Sequence, residues 1–274
     1  MSIYVGQCGV EKSGNYLLFR IIKSLLPDID SYQSYSNITG CWDSLMKMND
    51  TDLSFPELES MDEFRIDDDQ TLYHLNSHFK ASFSIWDMKS YESKTALLWT
   101  HQPPNKSHFT VLKEPRYWFY IIRDGRDVVN SWLHYAVSPR MLKRHPQYKI
   151  NNVEELYSNI QYFKDCANRW CDHVTQYLRF KDKYTLILFE NLIDNKFDTI
   201  ARIADKLGVK NVQLFNNAYE RTQIEETKKE APLHVRKGKK SDWTNHFTFK
   251  HKDIFKKIAG NTLIEFGYEE SNNW

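Results

Sequence analysis

The chain has 274 residues, enough for one large α/β domain with a substantial core, and nothing in its composition demands a second. Lys plus Arg (37) nearly balance Asp plus Glu (36), a net charge of +1, which excludes the global basic field of a nucleic-acid binder and makes any anion site local. Aromatic residues reach 15%, which argues against disorder and for a packed core or an aromatic-walled pocket.

At the N-terminus a short apolar run, Ile3 to Val5, enters a loop that ends in Gly9-Val10-Glu11-Lys12-Ser13-Gly14-Asn15. A strongly apolar helix pattern follows from Tyr16 to Leu26 and stops at Pro27. Strand, glycine loop and helix is the layout in which backbone N–H groups and a helix N-terminus hold an anion, with lysine adding a point charge. The spacing from Gly6 to Lys12-Ser13 is that of a P-loop, but Glu11 stands where the second glycine belongs. The loop therefore points to phosphate binding outside the standard NTPase mode, with a glycine turn carrying a solvated lysine as the rival at this point.

Residues 28–80 carry Ser, Asn, Asp and scattered aromatics with weak periodicity, and read as solvated loops and short helices. The alternative is a cover over a substrate, whose acidic run Asp67-Asp68-Asp69 would suit a cationic acceptor. Ala96 to Trp99 is a buried strand ending at Thr100-His101-Gln102-Pro103-Pro104. Tyr117 to Ile122 is the most strand-like run in the chain; it breaks at Arg123-Asp124-Gly125-Arg126-Asp127, and Val128, Val129, Trp132 and Leu133 resume at helical spacing. Residues 153–180 form one long helix or two. Tyr184 to Phe189 is a further strand, Phe197 to Leu207 a helix closed by Gly208, and Val212 to Tyr219 another helix. A basic stretch, Lys228 to Lys240, leads to Ser241-Asp242-Trp243, which opens the last helical region.

Alternating strands and helices predict an α/β, P-loop-like three-layer fold, a central parallel sheet with helices on both faces, in a single domain over 1–274. Ligands of such sheets sit beyond the carboxyl ends of the strands, so the Lys12 loop, His101 and the Arg123 turn should converge on one edge. The four cysteines, Cys8, Cys41, Cys166 and Cys171, have no disulfide-framework spacing, and Cys166-x4-Cys171-x-His173 is poor zinc spacing; reduced thiols and no metal are expected. With neither a basic n-region and apolar h-region at the start nor an apolar run of spanning length, the expectation is a soluble cytoplasmic protein.

Arg123-Asp124-Gly125-Arg126-Asp127-Val128-Val129-Asn130-Ser131 resembles the 3'-phosphate-binding segment of the PAPS-dependent sulfotransferases. Arg236-Lys237-Gly238-x-x-x-Asp242-Trp243 resembles their C-terminal Arg-Lys-Gly … Gly-Asp-Trp motif. Lys12-Ser13-Gly14 is similar to the 5'-phosphosulfate loop, and Thr100-His101-Gln102-Pro103 to the segment bearing the catalytic histidine. The matches keep the family's order and span nearly the whole chain.

The resemblance implies transfer of a sulfuryl group from PAPS to a hydroxyl or amine of a small-molecule acceptor, with release of PAP and no metal. His101 would be the general base and Lys12 the partner of the leaving phosphate, with Ser13, Gly14, Asn15 and Tyr16 at its oxygens. Arg123, Ser131, Arg236, Lys237 and Gly238 would hold the 3'-phosphate, and Thr222, with Ile224 beside it, the adenine. A histidine with an ordinary pKa of about 6.5 suits a base near neutral pH. His74, His78, His108 and His134 are expected at the surface or lining a pocket, and Arg126 in a solvated turn paired with Asp124 and Asp127. The segments 28–92 and 228–250 would cover acceptor and cofactor, with Trp42, Phe55, Phe64, Tyr73, Phe79, Phe83 and Trp86 in the former.

Departures from the family pattern are local. Glu11 replaces a proline, Asn15-Tyr16-Leu17 replace Thr-Thr-Trp and so remove an adenine-stacking ring, Trp99 replaces a lysine, and Ser241 fills a glycine position. The dimer motif is matched only by Thr244, Thr248-Phe249 and Asp253, which leaves a homodimer open. Two rivals remain: a P-loop small-molecule kinase using ATP and Mg²⁺, with Phe189-Glu190 as its nearest metal-site candidate, and a non-catalytic PAP-binding module.

Overall fold

A computed structural model describes residues 4–27, 63–67, 70–74, 82–85, 97–112, 115–230 and 236–274. Its strands are β1 (Val5–Cys8), β2 (Phe64–Asp67), β3 (Gln70–His74), β4 (Ser82–Ile85), β5 (Leu97–Thr100), β6 (Tyr117–Ile122) and β7 (Thr185–Leu188). β5-β1-β6-β7 form one parallel sheet in that order, with Val5 level with Leu97 and Tyr117, and Phe119 level with Thr185. Strands buried on both faces need near-continuous apolar runs, which is what Leu97–Trp99 and Trp118–Ile122 supply.

The helices are α1 (Asn15–Leu25), α2 (Ser107–Thr110), α3 (Gly125–Ala136), α4 (Pro139–Arg144), α5 (Val153–Ser158) and α6 (Ile160–Arg179). They continue with α7 (Phe189–Asp194), α8 (Lys196–Leu207), α9 (Val212–Arg221), α10 (Ile224–Glu230) and α11 (Phe249–Glu265). Trp99 meets Phe19 of α1, with ring centroids 5.7 Å apart. Tyr120 lies one register step along, hence on the other face, and stacks on Tyr177 of α6 at 4.1 Å. Helices therefore cover both faces of the sheet. α8 and α9 pack beside α1, while α3 and α11 pack beside α6. Among the described residues no helix is long and apolar enough to cross a membrane.

Two sequence expectations are corrected and one alternative is decided. Within the stretch 28–80 read as loops and short helices, Phe64–Asp67 and Gln70–His74 are strands: β2, β3 and β4 form an antiparallel meander, with buried Phe64 and Ile66 alternating with exposed Arg65. Of the two alternatives for 153–180, the structure has two helices, broken at Asn159, whose side chain accepts from the Tyr162 N–H and so starts α6 afresh. His108 is neither at the surface nor lining a pocket. It is fully buried, stacked on Trp118, and its Nδ1 is 2.9 Å from the Tyr184 hydroxyl.

Candidate active site

β1, β5 and β6 end at the same edge of the sheet, and each hands the chain to a loop with polar residues. After β1 the backbone turns through left-handed conformations at Lys12 (φ 68°) and Gly14 (φ 93°). At Gly14 a side chain would also strike the Phe189 ring, 2.5 Å from where its Cβ would stand. Asn15 Nδ2 donates to the Val10 carbonyl (2.7 Å), and Gln7 Nε2 donates to the Asn15 carbonyl (2.7 Å), so the loop is stitched to the strand beneath it. Gly14 caps α1 with no side-chain partner, leaving the first-turn amides to an anion. Ser13 Oγ and Asn15 Oδ1 are buried without a hydrogen-bond partner among the described residues. Unpaired buried polar atoms are costly, and two of them beside a helix N-terminus fit a loop shaped for a phosphate group. Tyr16, in the first turn of α1, is buried.

His101 follows β5. Its Nδ1 donates to the Gly9 carbonyl at 2.8 Å, which leaves Nε2 as the proton-accepting nitrogen. Trp99 meets the ring edge-on at 5.1 Å, and His173 Nε2 donates to the His101 carbonyl at 3.2 Å. His173 is itself buried against Tyr120, and burial lowers its pKa to about 3, so it is neutral. The next residue, Gln102, clamps the meander: its Nε2 donates to the Ile66 carbonyl (2.7 Å) and its Oε1 accepts the Ile66 N–H (3.0 Å). The turn bearing the imidazole is thereby tied to β2.

Arg123 follows β6 and reaches two loops at once. One terminal nitrogen donates to the Lys12 carbonyl (3.3 Å), the other to the Lys239 carbonyl (2.9 Å), and Phe189 faces the guanidinium at 4.6 Å. Asp127, one turn along α3, lies 3.4 Å from Arg123 and accepts the N–H groups of Ser241 (2.6 Å) and Trp243 (3.0 Å). Burial pushes the Asp127 carboxyl up, against the pull of Arg123 and of those two N–H groups. Ser241 takes φ 61°, a conformation that accounts for a glycine at this position of the family motif.

Ser131 is half-buried on α3, one turn beyond Asp127. Its neighbour Asn130 donates to Asp242 (3.0 Å), which also holds Arg236 (2.6 Å) and Lys237 (2.7 Å). Burial alone would raise the Asp242 pKa, but the bonds from Lys237 and Arg236 outweigh it and hold the carboxyl well below the usual range. Asp242 thus gathers the two cations beside the helix that carries Ser131.

Gly238 lines a cleft of about 440 Å³ together with Lys196, Tyr219, Gln223 and Ile224. Thr222 borders this region through its backbone: its hydroxyl donates back to the Ala218 carbonyl (2.6 Å), and its carbonyl accepts Lys196 Nζ (2.7 Å). Leu17 is only partly buried and packs against the core.

Arg126 is not in a solvated turn. It is buried between the rings of Trp243 (4.1 Å) and Trp274 (4.4 Å) and paired with Asp124 and Glu269, so its role is to hold the C-terminus against α3. Glu190 does not offer a metal site. It accepts the Asp124 N–H (3.0 Å) and the Tyr268 hydroxyl (3.1 Å), and burial pushes its carboxyl up. Asp68, Asp69, Trp42, Phe55, His78, Phe79 and Trp86 lie outside the described residues. Sequence reasoning missed Gln102, Asp127, Asn130 and Asp242 as organisers of the site; only Asp127 and Asp242 carried a signal, as charged residues inside matched motifs.

The geometry agrees with comparisons to known proteins. A family model described as a sulfotransferase domain matches residues 8–267. Sulfotransferase 2A6 of Mus musculus is 25% identical over 165 residues, 54% of this chain and 56% of that protein. Sulfotransferase 1C2 of Rattus norvegicus is 26% identical over 203 residues, 63% of this chain and 64% of that protein. The matches thus span between about half and two thirds of these relatives' length. Among solved structures, mouse sulfotransferase SULT7A1 complexed with PAP superposes with a TM-score of 0.59 at 18% identity, covering 98% of this chain and 89% of that one. Retinol dehydratase in complex with androsterone and inactive cofactor PAP gives 0.55 at 17% identity, covering 94% and 80%. These two likenesses show the fold, and a family model matching nearly the whole length shows the rest: the chain belongs to the sulfotransferase family.

Proposed function

We propose that the protein is a single-domain sulfotransferase that moves a sulfuryl group from PAPS to a hydroxyl or amine of a small-molecule acceptor and releases PAP. The observation that carries this reading is the Arg123 fork, which touches the carbonyls of both Lys12 and Lys239. Two cationic loops joined by one guanidinium suit a nucleotide with a phosphate at each end, and ATP, whose phosphates are all on its 5' side, has none at the 3' position for the Arg236–Lys237 loop. The two complexes with PAP among the structural neighbours support the same choice.

PAPS, when bound, supplies the sulfuryl group and a phosphate leaving group. The chain's own residues supply charge and position, the main terms in transfers of this in-line type. The amides at the start of α1 and the Lys12 ammonium stabilise the negative charge that grows on the leaving phosphate. His101 Nε2 takes the proton that the acceptor loses as it attacks, and the Gly9 carbonyl stabilises the resulting imidazolium through Nδ1–H. Cys8, Cys166 and Cys171 are free thiols, which supports a reducing compartment such as the cytoplasm.

Incubation with PAPS and a panel of phenols, alcohols and amines, followed by mass spectrometry, should show PAP and a sulfated product. Thermal shift separates the rivals. Stabilisation by PAP without Mg²⁺ supports the proposal, and stabilisation by ATP only with Mg²⁺ would overturn it in favour of a kinase. PAP binding with no transfer to any acceptor would leave a non-catalytic module.

A further inference from the structure

We propose that Tyr135 is a positioning residue for Lys12, its ring being the seat from which the ammonium meets the leaving phosphate. The inference rests on the sulfotransferase reading and adds to it a residue outside the matched motifs. Lys12 Nζ lies 3.2 Å from the centroid of the Tyr135 ring. Tyr135 is in the last turn of α3, four residues beyond Ser131 and eight beyond Asp127, so the helix face that reads the other phosphate also presents this ring. The backbone of Lys12 is fixed separately, by its left-handed turn and by the Arg123 bond to its carbonyl. Both ends of a side chain with a flexible four-carbon stem are thereby held.

The type of partner matters as much as the contact. An aromatic face attracts a cation through its quadrupole and adds no formal charge. Glu11, the adjacent acid, is paired with Arg169 on α6.

Two measurements test this. In ligand-free protein labelled with ¹³C-lysine, the ring current should place the ε-methylene protons of Lys12 upfield of other lysines, the signal being assigned by its loss in Lys12→Met. Tyr135→Leu should return it to the ordinary position and Tyr135→Phe should not. In turnover, Tyr135→Leu should lower kcat roughly five- to thirty-fold, with PAP affinity changed less than about three-fold and Tyr135→Phe restoring most of the rate. In a Lys12→Met background the same Tyr135→Leu change should have no further effect, because the ring acts through that lysine. Tyr135→Met serves if the leucine variant does not fold. An unshifted Lys12 signal in the wild type, additive losses in the double variant, or a phenylalanine variant as slow as leucine would each overturn the proposal. If the wild type transferred no sulfuryl group, the sulfotransferase reading would fail, and the ligand-free spectrum would still decide the Tyr135–Lys12 contact.

Discussion

At the residue scale the site turns on two fixed side chains. His101 gives its Nδ1–H to a backbone carbonyl of the Lys12 loop, so ring orientation and tautomer are set by that loop. His101→Ala should lower kcat by about 10²–10⁴, the usual worth of a general base, while PAP still stabilises the fold. Steady-state rates beside thermal shift check both halves, and a near-normal rate would refute the assigned base. Arg123→Met removes two charge-assisted bonds to the loops and should weaken PAP binding roughly ten- to hundred-fold by calorimetry. The placement of His101 and Arg123 at one sheet edge was readable in the sequence because each directly follows a strand pattern. The burial of Arg126 and His108 was not. Arg126 lies between acids in sequence, which reads as a solvated turn, and its two tryptophan partners are more than a hundred residues away. His108 is held by Tyr184, a tyrosine from just before β7 and 76 residues away in the chain.

At the scale of elements, α3 is the part on which the site depends most. It carries Asp127, Asn130, Ser131 and Tyr135 on successive turns, and its start is set by Asp124, which accepts the Arg126 N–H. Gly125 at that start is needed for close approach: a Cβ there would stand 2.3 Å from the ring of Trp170, which is fully buried and donates to the Arg123 carbonyl at 3.2 Å. Gly125→Ala therefore presses on the ring that pins Arg123. It should cost about 1–3 kcal/mol of stability, as overpacking does, and weaken PAP binding at the same time. Denaturant melts and calorimetry on one preparation test this; a stable variant with unchanged affinity would show that α3 tolerates the shift. The parallel strands were legible because burial on both faces demands unbroken apolar runs. The β2–β4 meander was not, because its strands have only four or five residues and leave too few alternations to stand out among the polar residues of 28–80. Its attachment depends on the Gln102 side chain, a single amide that no periodicity reveals.

At the scale of the whole molecule, the sheet edge is assembled from segments separated by more than two hundred residues, and neutral histidines are buried among them. Burial lowers the pKa of His108 to about 4 and that of His173 to about 3; His134, half-buried beside Arg236 and His246, falls to about 4. Each lies below the value of about 6.5 expected when unfolded, so between those limits the unfolded chain binds more protons than the native one. Their stabilisation is complete above pH 6.5, declines as pH falls, and is exhausted near pH 4 for His108 and His134 and near pH 3 for His173. The slope is at most about 1.4 kcal/mol per pH unit for each histidine. Asp127 and Glu190, pushed up by burial, act in the opposite sense below their raised values, while Asp242, held down by its cations, adds to the loss only below about pH 4. Three histidines titrating over one window outweigh two partly compensated acids. The melting temperature should therefore fall steadily from pH 7 to pH 5, well before general acid unfolding. His108→Gln keeps a polar group toward Tyr184 and removes one of the three protons, so it should be less stable at pH 7 but lose less between pH 7 and pH 5. Parallel melting curves for variant and wild type across that range would show that proton uptake at His108 does not contribute to the fold's response to acid.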